Sequence, residues 1–273
     1  MAAEHAGSGP TPNEYIVHHL TNLQYGHGFW TFNLDTIFFS VLLALVFFVL
    51  VMIVARRGTD GVPKGFQSLL EWWLEIIDEQ VRDTFHGTSK LIAPLAFTIF
   101  CWIFFFNLMD LVPVDLPGFV AKPLGLEHSK IVPSTDLNIT LGMSISVFLL
   151  VMFYSVKIKG AGGFAKELLT HPFGPYMFPF NLLLNVVEHL ARPVSLGLRL
   201  FGNLYAGEMI FLLLAVLGGS FAITTFGGVG AAFAQIFLGF AWGIFHFLVV
   251  PLQAFIFTVL TVVYLAQAHE THH

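Results

Sequence analysis

Residues 36–55 run for twenty positions without a charge and stop at Arg56 and Arg57. At about 1.5 Å of rise per residue, such a run matches the ~30 Å hydrocarbon core of a bilayer. Comparable runs follow at 91–108 and 137–156, and two longer apolar arms occupy roughly 178–217 and 231–268. The chain as a whole is 56% hydrophobic and 11% charged, whereas a soluble domain carries about 25% charged residues. These runs are too long to be strands, and no alternating ten-residue segments suggest a barrel. The pattern predicts an all-α, polytopic membrane protein with five membrane-spanning elements.

Five segments follow from the breaks. Residues 1–35 form a polar N-terminal segment without the basic start and short apolar core of a signal peptide. The first span takes 36–57, and 58–90 hold a turn-rich break followed by an amphipathic helix at 66–85. In that helix Phe66, Leu69, Leu70, Trp73, Ile76, Ile77 and Val81 recur at helical spacing, so it should lie at the interface or dock a partner helix. The second and third spans lie within 91–160 and flank a loop at 109–136. A glycine-rich loop should follow Lys157 and Lys159, and 161–273 should form a tilted helical hairpin. Each arm of that hairpin is about forty residues, or ~57 Å, and must tilt, bend or leave the bilayer.

Orientation follows from the basic residues. Arg56, Arg57, Lys64, Arg82 and Lys90 cluster after the first span, and Lys157, Lys159 and Lys166 after the third; only Lys122 and Lys130 lie near the membrane on the other side. The N-terminus is therefore expected outside and the C-terminus in the cytoplasm. The single Cys101 sits in an apolar run, which leaves no disulfide framework or thiolate metal cluster. A net charge of −5 rests on few residues and constrains partners little.

The first long arm carries a polar stripe: Asn181, Asn185, Glu188, Arg192, Ser195, Arg199 and Asn203. Steps of three and four keep all seven on one helical face. Arg199 is the costliest member. A guanidinium does not deprotonate in a protein, and a charge at the centre of a span costs at least ~3 kcal/mol on insertion scales. Gly197, Gly202 and Gly207 along the same arm would admit a neighbouring helix closely. Glu208 is nine residues past Arg199, about 180° around and ~13.5 Å further along. It should address the second arm, where Gln235, Gly239, Trp242, His246, Gln253 and Gln267 form another stripe. In an antiparallel hairpin turning within 218–230, Glu208 falls opposite His246, and Arg199 opposite Gln253.

Plainer explanations compete with a functional one. Arg192 could snorkel to headgroups, Arg199 could join an interhelical ion pair, and Glu208 with His246 could be a self-satisfied buried pair. Asp110 and Asp115 could be solvated turn residues, and the acidic residues at 71–79 a solvated face. Intramembrane Arg, Glu and His nevertheless mark ion or proton pathways, and imidazole and desolvated carboxyl groups can relay protons near neutral pH. A secondary transporter would call for internal repeats and a midplane substrate site, and no repeat is visible. A membrane scaffold would not need the seven-member stripe. No nucleotide loop, nucleophile elbow or metal motif indicates an enzyme acting alone, and neither a cofactor nor a nucleic-acid partner is expected.

The segment PVSLGLRLFGNLYAGE (193–208) resembles the subunit a family of bacterial F-type ATP synthases, in its gammaproteobacterial form. The resemblance extends to EYIVHHL near the start, to 89–115, to GGFAKEL (162–168) and to 245–265. It implies the stator subunit of a proton-translocating membrane sector, facing a rotor c-ring and held by peripheral-stalk b subunits in the inner membrane. Arg199 then faces the ring, with Asn203 and Ser195 beside it. Glu208, His246 and Gln253, with Asn107, Asp110 and Asp115 nearer the mouth, correspond to an outer half-channel. Asn185 stands where the family has an acid, and Glu188 lies one turn on, so Asn185 and Glu188 are the residues expected at an inner half-channel. The connector between Glu208 and His246 is also longer than the family form.

Overall fold

A computed structural model describes residues 21, 23–26, 28, 31–58, 61–87, 89–112, 132–219 and 226–270. Its described elements are a two-strand pair, β1 (Gln24–Tyr25) and β2 (Phe32–Asn33), and six helices. The helices are α1 (Leu34–Arg57), α2 (Phe66–Thr84), α3 (Ile92–Leu108), α4 (Leu137–Thr170), α5 (Phe178–Gly219) and α6 (Phe226–His269). Five of them are long and apolar enough to cross a membrane, all but α2. Residues 1–20 of the N-terminal segment expected at 1–35 and the loop residue Asp115 lie outside the described residues.

The α2 helix shows why its amphipathic pattern does not make a span. Leu70, Ile77 and Val81 are buried, and Trp73 packs edge-on against Phe100 and Phe104 of α3 at 5.5 and 4.7 Å. Glu71, Glu75 and Glu79 stay exposed, while Asp78 pairs with Arg82 one turn on at 2.6 Å.

Two helix starts are fixed by aspartates. The Asp136 side chain accepts from the Asn138 amide at 2.9 Å and caps α4. Asp35, in the first turn of α1, accepts from the amides of Leu23 and Thr36 at 3.0 and 2.8 Å, tying the β1–β2 hairpin to the helix.

One expectation is corrected here. The glycine-rich stretch after Lys159 is helix, continuing α4 to Thr170 through a kink at Gly160, whose φ of 72° and ψ of 155° are readily adopted only by glycine. Lys159 Nζ reaches both carboxylate oxygens of Glu167 at 2.8 Å and ties the two sides of the bend. The backbone leaves the helical conformation at this glycine, and a second helical stretch resumes directly after it.

Helices α5 and α6 have 42 and 44 residues, about 63 and 66 Å if straight, roughly twice the hydrocarbon core. Each holds an internal proline, Pro193 and Pro251, a common site of helix bending. The described residues form two compact units. One is drawn from Met1–Leu43, Phe105–Thr135 and Asn203–Pro251; the other from Ala44–Phe104, Asp136–Gly202 and Leu252–His273.

Candidate functional site

Within the first unit, α3 ends in a short turn, Met109–Leu111, that places Asp110 in the interior at 6% exposure. His246 of α6 is 1% exposed, and its Nε2 lies 2.6 Å from Asp110 Oδ2. The contact is an ion pair only when the imidazole is protonated, and it lacks the angles of a straight hydrogen bond. A carboxylate is tolerated at such depth only when paired or solvated.

Gly207 of α5 makes this meeting possible. A Cβ there would stand 2.5 Å from His246 Cε1 and 3.3 Å from Asp110 Oδ2. Glycine lets the imidazole lie against the α5 backbone, with the Phe211 ring edge-on at 5.6 Å. Glu208, the next residue, is buried at 6%. Thus α5 meets His246 at Gly207, adjacent to the position expected opposite it.

Asn107 is fully buried, and neither side-chain amide atom bonds another described residue. Buried polar atoms of that kind are normally satisfied by ordered water. The unit therefore withdraws Asn107, Asp110, Glu208 and His246 from bulk solvent.

Within the second unit, Arg199 lies on an exposed face of α5 with Ser195 one turn before it, while Leu196 and Leu200 form the buried face. Among the described residues no carboxylate pairs with the Arg199 guanidinium. Its main-chain carbonyl accepts from Gln253 Nε2 of α6 at 2.8 Å. The two positions expected to face each other do so, through the backbone, and the charged head stays outward. Asn203, in the first unit's part of α5, is likewise exposed.

The lower part of the stripe is used differently. Asn181 Nδ2 donates to the carbonyls of Leu169 and Gly174, and its Oδ1 accepts from the Phe173 amide. Asn185 Nδ2 donates to the carbonyls of Leu168 and His171. Both asparagines hold the end of α4 and the turn after it against α5. Glu188 is exposed and pairs with Arg192, whose guanidinium also lies over the Tyr264 ring at 5.1 Å. Arg192 is thus held by side chains of the protein, where the sequence alone suggested headgroups.

Asn185, Glu188, Arg192 and Tyr264 line a cavity of about 270 Å³ that also includes Lys159, Glu167, His189 and Gln267. A small second cavity, lined by Ser144 and Leu196, shares His189, Arg192 and Tyr264 with it. Beside it, a Cβ on Gly197 would come within 2.8 Å of Ser144 Oγ, so α4 and α5 touch closely there. Sequence reasoning missed His189, Lys159 and Glu167 as members of this site. For His189 the available signal was its place between Glu188 and Arg192 at the edge of the stripe. For Lys159 and Glu167 there was none, because they flanked what read as a loop.

The ATP synthase A chain family matches residues 37–266. ATP synthase subunit a 1 of Methylococcus capsulatus is 55% identical over the full length of both chains. ATP synthase subunit a of Alkalilimnicola ehrlichii is 53% identical over 97% of this chain and all of its own, and that of Shewanella woodyi 51% identical over both full lengths. With the family matched across the spans and relatives aligned nearly end to end, the chain belongs to the ATP synthase A chain family.

Proposed function

We propose that this protein is the stator subunit that loads and unloads protons on the rotor ring of an ATP synthase membrane sector. It has no chemical catalytic site of its own. The observation that carries the reading is Arg199: a permanent cation on a helix long and apolar enough to cross a membrane, turned outward, with no acidic partner among the described residues. In chain order along α5 it stands between the cavity residues Asn185–Arg192 and the buried Glu208.

The mechanism follows from charge and solvation. A rotor carboxylate crosses lipid only when protonated, since an ionised one is prohibitively costly there. Beside Arg199 the ionised form is favoured, so the proton leaves, and reloading must come by a different path. Asp110, His246 and Glu208, with Asn107 and Asp115 toward the mouth, form the outer path. Gln253 holds the Arg199 backbone in place. Asn185, Glu188 and the cavity around them form the inner path, with Ser195 and Asn203 flanking the arginine on the ring-facing side. The same positive charge repels a proton and opposes a direct leak. Each proton falling through 100 mV supplies ~2.3 kcal/mol, so several must be coupled per ATP.

The remaining assignments belong to the same reading. Residues 1–35 face the periplasm, α2 lies within the cytoplasmic segment 58–90, and 161–273 carry the rotor-facing hairpin. The C-terminus is cytoplasmic, and peripheral-stalk b subunits hold the protein against the ring in the inner membrane. The basic clusters at 56–90 and 157–166 support this orientation.

The test is Arg199→Ala in the assembled complex in vesicles. Proton-driven ATP synthesis should vanish while the subunit still co-purifies with a ring of small helical subunits. Synthesis near the unaltered rate would overturn the assignment.

A further inference from the structure

We infer that His189 is a proton-transfer residue at the waist of the cavity described above, passing protons between its narrow and its wide part. The inference rests on the proposed proton path and adds a residue that the path did not include.

Three observations support it. His189 lines both the ~270 Å³ cavity and the small one beside Ser144 and Leu196, so its ring sits where the two adjoin. Its Nδ1 lies 2.7 Å from the Asn185 carbonyl oxygen, one turn back on α5. A carbonyl only accepts, so Nδ1 carries the hydrogen and Nε2 keeps the basic lone pair. Finally, Phe164 of α4 meets the ring nearly edge-on, 6.1 Å between centres and 74° between planes. The ring is thereby fixed by a hydrogen bond and an aromatic wall, leaving one nitrogen to react.

The surrounding charges suit a relay better than a store. On α5 itself Glu188 and Arg192 pair with each other. From α4 come Lys159 and Glu167, also paired, and His171 follows its end. From α6 come Tyr264 and, just beyond its end, Glu270. The two ion pairs are internally balanced. Histidine is the side chain whose ordinary charge change falls between pH 5 and 8. A protonated water on the narrow side gives its excess proton to Nε2 and is left neutral. The imidazolium keeps its Nδ1 hydrogen on the Asn185 carbonyl and returns the Nε2 proton to water in the wide part. The ring ends in the tautomer it began with.

The test uses the whole complex in vesicles, with His189→Gln, whose amide can still donate to the Asn185 carbonyl. Proton flux and ATP synthesis should fall about a hundredfold, the low end of what a positioned general acid–base group contributes, with assembly intact. Imidazole added on the face to which the cavity opens should restore most of the flux, and imidazole on the opposite face should not. Unchanged flux, or a loss indifferent to imidazole on both faces, would overturn the inference. If His189→Gln does not assemble, His189→Asn is read by the same criteria. An Arg199→Ala complex that still makes ATP would defeat the stator reading itself. A dead Arg199→Ala complex beside a normal His189→Gln complex would defeat only the relay.

Discussion

The protein carries two groups of ionisable residues built on opposite principles. Asp110, His246 and Glu208 are withdrawn to 6% exposure or less, the first two against the backbone of Gly207. Lys159, Glu167, Glu188 and Arg192 line an open cavity, where each charge has a partner on a neighbouring turn or across a helix bend. In the first group geometry is fixed and water is scarce, so each atom matters. In the second, solvent screens the charges, and no single pair should dominate. A path that must select and hold a proton calls for the first construction; one that must release it tolerates the second.

The contrast is tested most severely at Asp110. Asp110→Asn removes one member of a buried pair, a change worth on the order of 3–5 kcal/mol where the remaining charge stays uncompensated. Proton-driven synthesis should drop at least about tenfold, and thermal unfolding of the purified complex should begin earlier. Normal values for both would show that the withdrawn group is not electrostatically demanding.

Gly207→Ala comes next. Its Cβ would overlap His246, and overpacking of this kind typically costs about 1–3 kcal/mol; proton uptake should slow several-fold. Gly202→Ala on the same helix is the control, because nothing lies within 4 Å of its Cβ position. A defect there equal to that of Gly207→Ala would mean that an external partner, and not His246, sets the glycine requirement.

Gly197→Ala presses on Ser144 Oγ, the Leu141 side chain and the Thr140 carbonyl at 2.8, 2.9 and 3.2 Å. A similar stability loss should appear in thermal denaturation, with a smaller effect on proton uptake than at Gly207. Glu188→Gln should do least. Its pair with Arg192 is half-exposed, and such pairs contribute about 0–1 kcal/mol, so synthesis should fall less than about twofold. A loss as large as that of Asp110→Asn would erase the distinction between the two groups.

The spans were legible because bilayer thickness fixes the length of an apolar run, and the register of α5 on α6 because a hairpin has one midpoint. The pairing of Gln253 with position 199 followed from that register, although its acceptor proved to be the carbonyl. Periodicity also separated Glu208 from the Arg199 face. It did not reveal that Asp110 would reach His246, since that contact joins α6 to a turn more than a hundred residues earlier. Nor did it foresee the helix beyond Gly160. One glycine can bend a helix or end it, and the choice depends on partners such as Lys159 and Glu167 that are not adjacent in sequence. The polar stripe divided for a related reason. Its upper members face outward, whereas Asn181 and Asn185 are consumed by carbonyls of a turn whose location only the tertiary fold fixes.

Those two amides have a consequence for what substitutions the stripe can accept. Between them they satisfy four main-chain carbonyls, at Leu168, Leu169, His171 and Gly174. An aspartate at either position would turn two donated bonds into oxygen facing oxygen. Acidity in this neighbourhood is therefore displaced to Glu188, one helical turn away, where no carbonyl is waiting. The amides act as a splint: Pro172 and Phe173 stand exposed, while the backbone beneath them keeps its course.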